Sequence, residues 1–95
     1  MHQRPPAFGG SDGQAYTVAT LVDDDPDADG RFGAALMFVR WSSGGERAVG
    51  HLETDYLAFG TSQDTALAPL LELPLAAVKA HLDRCIARSA QAAES

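Results

Sequence analysis

The chain is predicted to be an α+β protein: a three- to four-stranded antiparallel meander sheet, followed by a short helix and a longer C-terminal amphipathic helix packed on one face. Two observations support this fold. Three segments rich in β-branched and aromatic residues follow one another through short polar loops, which favours antiparallel neighbours. The remaining apolar residues recur at helical spacing in the C-terminal third, where two prolines punctuate the pattern.

The 95 residues are enough for one domain. We expect residues 1–14, with paired prolines and three glycines, to form a mobile N-terminal arm. The single α+β domain is expected over 15–90, and a C-terminal tail over 91–95.

The predicted strands alternate with turn-forming sequences. The strands are AYTVATLV (15–22), RFGAALMFVRW (31–41) and ERAVGHLETDYLAFG (46–60). DDDPDADG and SSGG connect them, because Pro, Gly, Asp and Ser favour turns. The pair Thr54–Asp55 has poor strand preference, so the third segment is either one bulged strand or two.

The stretch GTSQDTA (60–66) predicts a junction between strand and helix. Ser62 is placed to cap the helix by accepting from the backbone N–H of Asp64 or Thr65, and Asp64 complements the helix dipole. An interior proline is unfavourable in a helix, so we expect a short helix over 63–68 and a main helix from near Pro74. One stripe of that main helix is apolar: Leu75, Val78, Leu82, Cys85 and Ile86.

Charge and composition narrow the functional classes. The net charge of −6, from 13 acidic and seven basic residues, disfavours direct nucleic-acid binding and is compatible with a basic protein partner. The single cysteine excludes an intrachain disulfide, and no stretch reaches the ~18 apolar residues of a membrane span. We therefore expect a cytoplasmic protein without a membrane partner.

The second predicted strand is apolar on both faces. Antiparallel sheets with one solvated face usually alternate apolar and polar residues, whereas this strand does not. The helices can cover one face, so the other is expected to bind a second copy of the chain or another protein through Ala35, Met37, Val39 and Trp41. The alternative is that the arm or the 69–74 connection covers that face.

Two acidic patterns are candidate metal sites. Asp25, Asp27 and Asp29 match the D-x-D-x-D-G opening of a calcium loop, although the position of the closing glutamate is Leu36. The alternative is a solvated acidic hairpin loop.

His51, Glu53 and Asp55 alternate, so a regular strand would present all three on one face as a metal or acid–base site. A small metal-dependent enzyme or metal-binding module is therefore the alternative function. The competing interpretation is a charged edge strand. We expect no organic cofactor, and Cys85 to be a small core residue.

The segment GTSQDTALAPLL, which follows three strands, resembles the G-x-[ST]-x-[DE]-x-A junction of the HicB-like antitoxin family. The matching positions are Gly60, Ser62, Asp64 and Ala66. This resemblance extends over residues 15–72 and implies a non-catalytic oligomeric module that blocks a small basic ribonuclease. Together these expectations describe a small acidic interaction module, homodimeric, acting as a regulatory or assembly subunit.

Overall fold

A computed structural model describes residues 7–94 and confirms the α+β class, with an antiparallel sheet followed by a short and a long helix. The described residues form five strands and two helices. In chain order these are β1 (Phe8–Gly9), β2 (Ala15–Val22), β3 (Phe32–Trp41), β4 (Ala48–Glu53), β5 (Ala58–Gly60), α1 (Gln63–Leu71) and α2 (Leu75–Glu94).

The longest strand, β3, is the centre of the sheet. The order is β1–β2–β3–β4, and β5 also pairs with β3, with all pairings antiparallel. Phe38 lies opposite Val18 of β2 on one side and opposite Leu52 of β4 on the other. Because β3 is paired along both sides, its side chains are the most enclosed of the sheet.

The segment predicted as one strand or two, residues 46–60, is two strands. The break lies at Thr54–Asp55, and Thr54 takes over the interrupted ladder: its backbone N–H donates to the Leu36 carbonyl (2.9 Å) and its Oγ1 accepts from the Leu36 N–H (3.0 Å). Pairing resumes when the Leu57 N–H donates to the Ala34 carbonyl (2.8 Å). The threonine hydroxyl therefore lets the chain bend without leaving the Leu36 amide unsatisfied.

The predicted N-terminal arm is folded wherever the structure describes it; residues 1–6 lie outside the described residues. Phe8 packs edge-on against Phe38, with ring centroids 6.4 Å apart, and β1 extends the sheet beside β2. Further on, the Ser11 N–H donates to Asp83 Oδ1 (3.0 Å) and the Tyr16 hydroxyl donates to Asp12 Oδ2 (2.8 Å). Residues 8–14 thus belong to the domain rather than to an arm.

The helical junction follows the predicted chemistry, but both helices are longer than expected. The Ser62 side chain accepts from the Thr65 N–H (3.1 Å), which confirms the cap. The first helix passes through Pro69 and ends at Leu71 rather than at 68, because one missing N–H is tolerated where Leu70 is buried in the core.

The second helix begins after Pro74, whose carbonyl accepts from the N–H groups of Ala77 (3.0 Å) and Val78 (3.1 Å). It continues to Glu94, so residues 91–94, predicted as a tail, are helical. No helix within residues 7–94 is both long and apolar enough to cross a membrane.

The hydrophobic core lies between the two helices and one face of the sheet, called here the covered face. Alternate residues of β2 and β3 contribute to it, as the two-residue period of a strand requires. Cys85 is part of this core, as predicted. The buried members are Tyr16, Ala34, Leu36, Phe38, Ala66, Leu70, Val78, Leu82 and Cys85.

Candidate interaction surface

The opposite side of the sheet, called here the open face, is not covered by any described helix or strand. Register places the odd-numbered residues of β2 and β3 on this side, because their even-numbered neighbours point into the core. The side chains of the open face are Thr17, Ala19, Leu21, Ala35, Met37, Val39 and Trp41, with His51 and Glu53 at the β4 rim.

The four residues predicted to bind a partner all lie on the open face. Met37, Val39 and Trp41 are half-buried, whereas Ala35 is only 6% exposed and lies deeper, among its neighbours. The indole of Trp41 is fixed in place, since its Nε1 donates to the hydroxyl of Thr17 across the strand pair (2.9 Å). The structure therefore presents a preorganised apolar strip, with a tryptophan at one end.

Two aromatic rings lie beside the other end of β3 and extend the strip in that direction. Tyr56 and Phe59 are each about half exposed, and their centroids lie 5.4 Å apart. The Tyr56 ring lies over Gly33, where a Cβ would come within 2.6 Å of it, and Arg31 stacks 4.6 Å above Phe59. Phe59 pairs with Gly33 on the open face. Both rings therefore lie on the open face rather than between the sheet and the helices.

Asp23 holds Tyr56 in that position. The Tyr56 hydroxyl donates to Asp23 Oδ1 (2.6 Å), and this bond raises the pKa of the phenol. The other oxygen, Asp23 Oδ2, accepts from the Gly33 N–H (3.1 Å). A shallow cleft of about 400 Å³ lies beside this network. It is lined by Leu21, Val22, Asp23, Gly33, Ala35, Glu53, Thr54, Asp55 and Tyr56.

The segments that could have covered the open face, as far as they are described, lie on the other side. Phe8 contacts Phe38 of the covered face, and a Cβ on Gly10 would come within 2.7 Å of Ile86 Cδ1 on α2. In the 69–74 connection, Leu70 and Leu73 pack in the core. These described residues therefore leave the open face accessible.

The predicted trio of His51, Glu53 and Asp55 is not brought together. His51 Nε2 and Glu53 Oε2 are 3.3 Å apart, but β4 ends at Glu53 and the chain turns at Thr54. Asp55 is directed instead to Arg88 of α2, whose Nη1 donates to Asp55 Oδ2 (3.2 Å). The expectation that all three share a strand face was wrong because the strand stops two residues early.

The aspartate loop satisfies its own hydrogen bonds. Asp27 Oδ1 accepts from the backbone N–H groups of Asp29 (2.9 Å) and Arg31 (2.9 Å), and the Arg31 guanidinium lies 3.4 Å from Asp27 Oδ2. The Arg31 N–H lowers the pKa of Asp27, with the charge of Arg31 acting in the same direction. No group of three metal-ligating side chains, from this loop with Asp25 or elsewhere, is assembled within the described residues.

The helix side has a second cleft, of about 440 Å³, at the C-terminal half of α2. Its basic groups are already engaged: the Arg88 guanidinium donates to the Glu53 carbonyl (3.0 Å), and Arg84 lies 2.8 Å from His81 Nδ1. Burial and the nearby Arg84 lower the pKa of His81, and burial raises the pKa of the Cys85 thiol. Arg88 and Cys85, whose thiol donates to the same Glu53 carbonyl (3.6 Å), fasten the helix to the end of β4.

Comparison of the chain with protein-family models, with curated proteins and with solved structures finds no match.

Proposed function

We propose that the protein is a small acidic, non-catalytic interaction module of the cytoplasm that forms a homodimer through its open face. The observation that supports this most is the uncovered strip of Met37, Val39 and Trp41 on the central strand. Leaving a large apolar side chain wet forgoes about 1.5–3 kcal/mol relative to full burial. A contiguous apolar strip with a polar rim is characteristic of protein interfaces.

The size of the open face fits a small interface. The ten residues of β3 span about 34 Å, and three strands are about 14 Å wide, which gives roughly 480 Å² of flat area per subunit. Side-chain relief and the Tyr56–Phe59 pair add to this area. Specific association requires about 1,000 Å² of total buried surface, and two such faces approach this value.

A second copy is the occupant that the charge distribution favours. Each chain carries a net charge of −6, so self-association requires a contact surface without like charges at its centre. The β2 and β3 residues of the open face are uncharged, and His51 and Glu53 of the rim already lie beside each other. Preorganisation of Trp41 by Thr17 reduces the entropy lost on binding, and tryptophan is enriched among interface anchors.

The acidic surface outside the open face suits a basic partner for the assembled module. The junction Gly60–Ala66 resembles that of HicB-like proteins. This resemblance suggests an antitoxin-like role, in which the dimer blocks a basic enzyme. Affinity capture with a His-tagged dimer tests it. A basic protein retained at low salt and released at high salt supports this role, whereas an acidic or salt-insensitive partner contradicts it.

The dimer itself is tested by measuring the mass of the particle in solution. Met37→Glu places a charge at the middle of the open face without touching the core, so it should halve the number of chains per particle. Trp41→Asp should do the same. Met37→Leu, which keeps the apolar volume, is the matched control and should behave as wild type.

Light scattering at about 50 μM resolves these species, because this concentration lies above the dissociation constant of a complex with affinity of about 1 μM. Circular dichroism establishes that each variant is folded. An unchanged mass for folded Met37→Glu would contradict the proposed function.

A further inference from the structure

The outer edge of β2 is a second unpartnered feature, distinct from the open face. β1 pairs only with Ala15 and Tyr16, so within residues 7–94 no strand lies beside the rest of β2, from Thr17 to Val22. This segment, TVATLV, is uncharged, contains no proline and is rich in β-branched residues. Natural proteins usually protect such edges with charge, proline or a covering element, because an exposed edge is a template for another strand.

The other long edge of the sheet is protected in the usual way. β4 carries His51 and Glu53, contains Gly50, and is offset from β3 by an irregularity at Arg40–Trp41. Charges and bulges discourage edge-to-edge pairing. Of the two long edges formed by the described strands, the β2 edge is therefore the one whose sequence does not oppose pairing with a further strand.

The backbone groups that point outward from β2 follow from the register. Asp23 directly follows β2, and its N–H donates to the Gly33 carbonyl of β3 (3.0 Å). The odd-numbered residues of β2 therefore direct their backbone N–H and C=O groups toward β3. By the two-residue period, the N–H and C=O groups of Val18, Thr20 and Val22 face outward. These three residues offer a ladder for an antiparallel strand.

An apolar groove runs beside this edge, on the covered-face side. It has a volume of about 530 Å³ and includes Leu71, which at the end of α1 is 72% exposed. The side chains of Val18 and Thr20 reach the same groove as Leu70, Leu73 and Val78. A strand added to the edge would therefore gain side-chain contacts as well as backbone hydrogen bonds.

We propose that the β2 edge pairs antiparallel with the β2 edge of a second copy, about a two-fold axis at Thr20. In this register Thr20 lies opposite its own copy and Val18 lies opposite Val22, which forms about six backbone hydrogen bonds. The paired segment, centred on Thr20, ends on each side where the β1 strand of one copy begins to occupy the edge. Its length therefore matches the part of β2 that the strands within residues 7–94 leave unpaired.

Self-pairing is also consistent with the charges and the faces. The paired segment contains no ionisable side chain, so two chains of net charge −6 meet there without like charges in opposition. Residues opposite each other in a ladder share a face, so both helix layers lie on the same side of one continuous sheet. Leu71 lines the groove beside Val18 and Thr20, so the strand added by the second copy would cover part of this exposed side chain.

This edge axis is perpendicular to the sheet, whereas the dimer axis of the proposed function lies parallel to it. Where these two perpendicular two-fold axes intersect, they generate a closed assembly of four chains, in which two continuous sheets face each other; axes that did not intersect would instead generate an open filament. The wild-type particle should therefore have four times the 10.0 kDa mass of one chain.

The test uses Thr20→Pro, because proline is tolerated in an edge strand where the N–H faces outward. It removes the central hydrogen bonds of the symmetric pair and leaves the β2–β3 ladder intact. Thr20→Val, which keeps the N–H, is the matched control. Leu71→Glu disrupts the same contact from the groove without changing the backbone, and it replaces Thr20→Pro if circular dichroism shows that the proline variant is unfolded.

Native mass spectrometry and light scattering should give four chains for wild type and Thr20→Val. They should give two for Thr20→Pro, two for Leu71→Glu, two for Met37→Glu, and one for Thr20→Pro combined with Met37→Glu. A wild-type dimer that Met37→Glu converts to a monomer overturns the edge pairing and leaves the proposed function standing. A wild-type dimer that only the edge variants dissociate supports the edge pairing and overturns the proposed use of the open face. A wild-type monomer overturns both.

Discussion

The two faces of β3 carry similar side chains in different surroundings. Phe38 is completely enclosed between the sheet and the helices, whereas its neighbour Met37, one residue earlier, is half-buried on the open face. Composition therefore does not distinguish the covered face from the open one; only the position of the helices does. A strand that is apolar on both sides requires two covers, and residues 7–94 supply one.

The largest expected effect on stability comes from truncating Phe38, the member of this pair on the covered face. Phe38→Ala leaves a cavity in the core and should cost about 3–5 kcal/mol of unfolding free energy. Met37→Ala should cost little within one subunit, and its effect should instead appear as a weaker dependence of stability on protein concentration.

Urea denaturation at two protein concentrations separates these effects. A cost for Met37→Ala equal to that of Phe38→Ala, and independent of concentration, would mean that the subunit itself covers both faces.

A smaller loss of stability is expected at the junction between β5 and α1, where the helices join the sheet. Gly60 allows close packing at the end of β5: a Cβ there would lie 2.6 Å from the Ala66 N and 2.8 Å from the Thr65 carbonyl carbon. Because those neighbours are backbone atoms and cannot turn aside, Gly60→Ala should cost about 1–3 kcal/mol.

Gly44→Ala is the control for that substitution, since its new methyl group would only approach the Glu46 side chain at 3.8 Å. Its effect should stay within about 0.5 kcal/mol. Equal melting temperatures for the Gly60 and Gly44 variants would show that α1 is not packed as closely on β5 as described.

The smallest effect on stability concerns Cys85, which lies on the side of α2 that packs in the core. Burial raises the pKa of this thiol, so the folded protein holds its proton at a pH where the unfolded chain has begun to release it. Its contribution to stability is therefore complete below the ordinary thiol pKa and declines as the pH rises through it.

Comparison of wild type with Cys85→Ala from pH 7 to 10 measures this contribution. The stability of wild type should fall more steeply with rising pH than that of the variant. Parallel curves would show that the thiol is as accessible in the folded protein as in the unfolded chain.

Local chemistry was predictable from the sequence, and long-range contacts were not. The Ser62 cap and the weakness at Thr54–Asp55 depend on near neighbours, so the sequence pattern was sufficient to locate them. β1 was missed because the two residues Phe8 and Gly9 carry almost no strand signal, and the position of Phe8 depends on its contact with Phe38, thirty residues away.

The candidate site divides in the same way. Alternation along β3 correctly placed Met37, Val39 and Trp41 on one side, because a central strand keeps its period. Alternation failed for Asp55, since β4 ends before it and Arg88 attracts its carboxylate. The hydrogen bond between Trp41 and Thr17 depends on the β2–β3 register, which no single segment of the sequence reveals.

The most direct measurement of the central claim is the fluorescence of Trp41, the only tryptophan of the chain, during dilution. If the open face is buried against a second copy, emission should shift to longer wavelength and acrylamide quenching should increase as the particle dissociates. Met37→Glu should show the fully shifted spectrum at every concentration, whereas Met37→Leu should follow wild type. A wild-type spectrum that is constant on dilution and identical to that of folded Met37→Glu would contradict burial of this face by a second subunit.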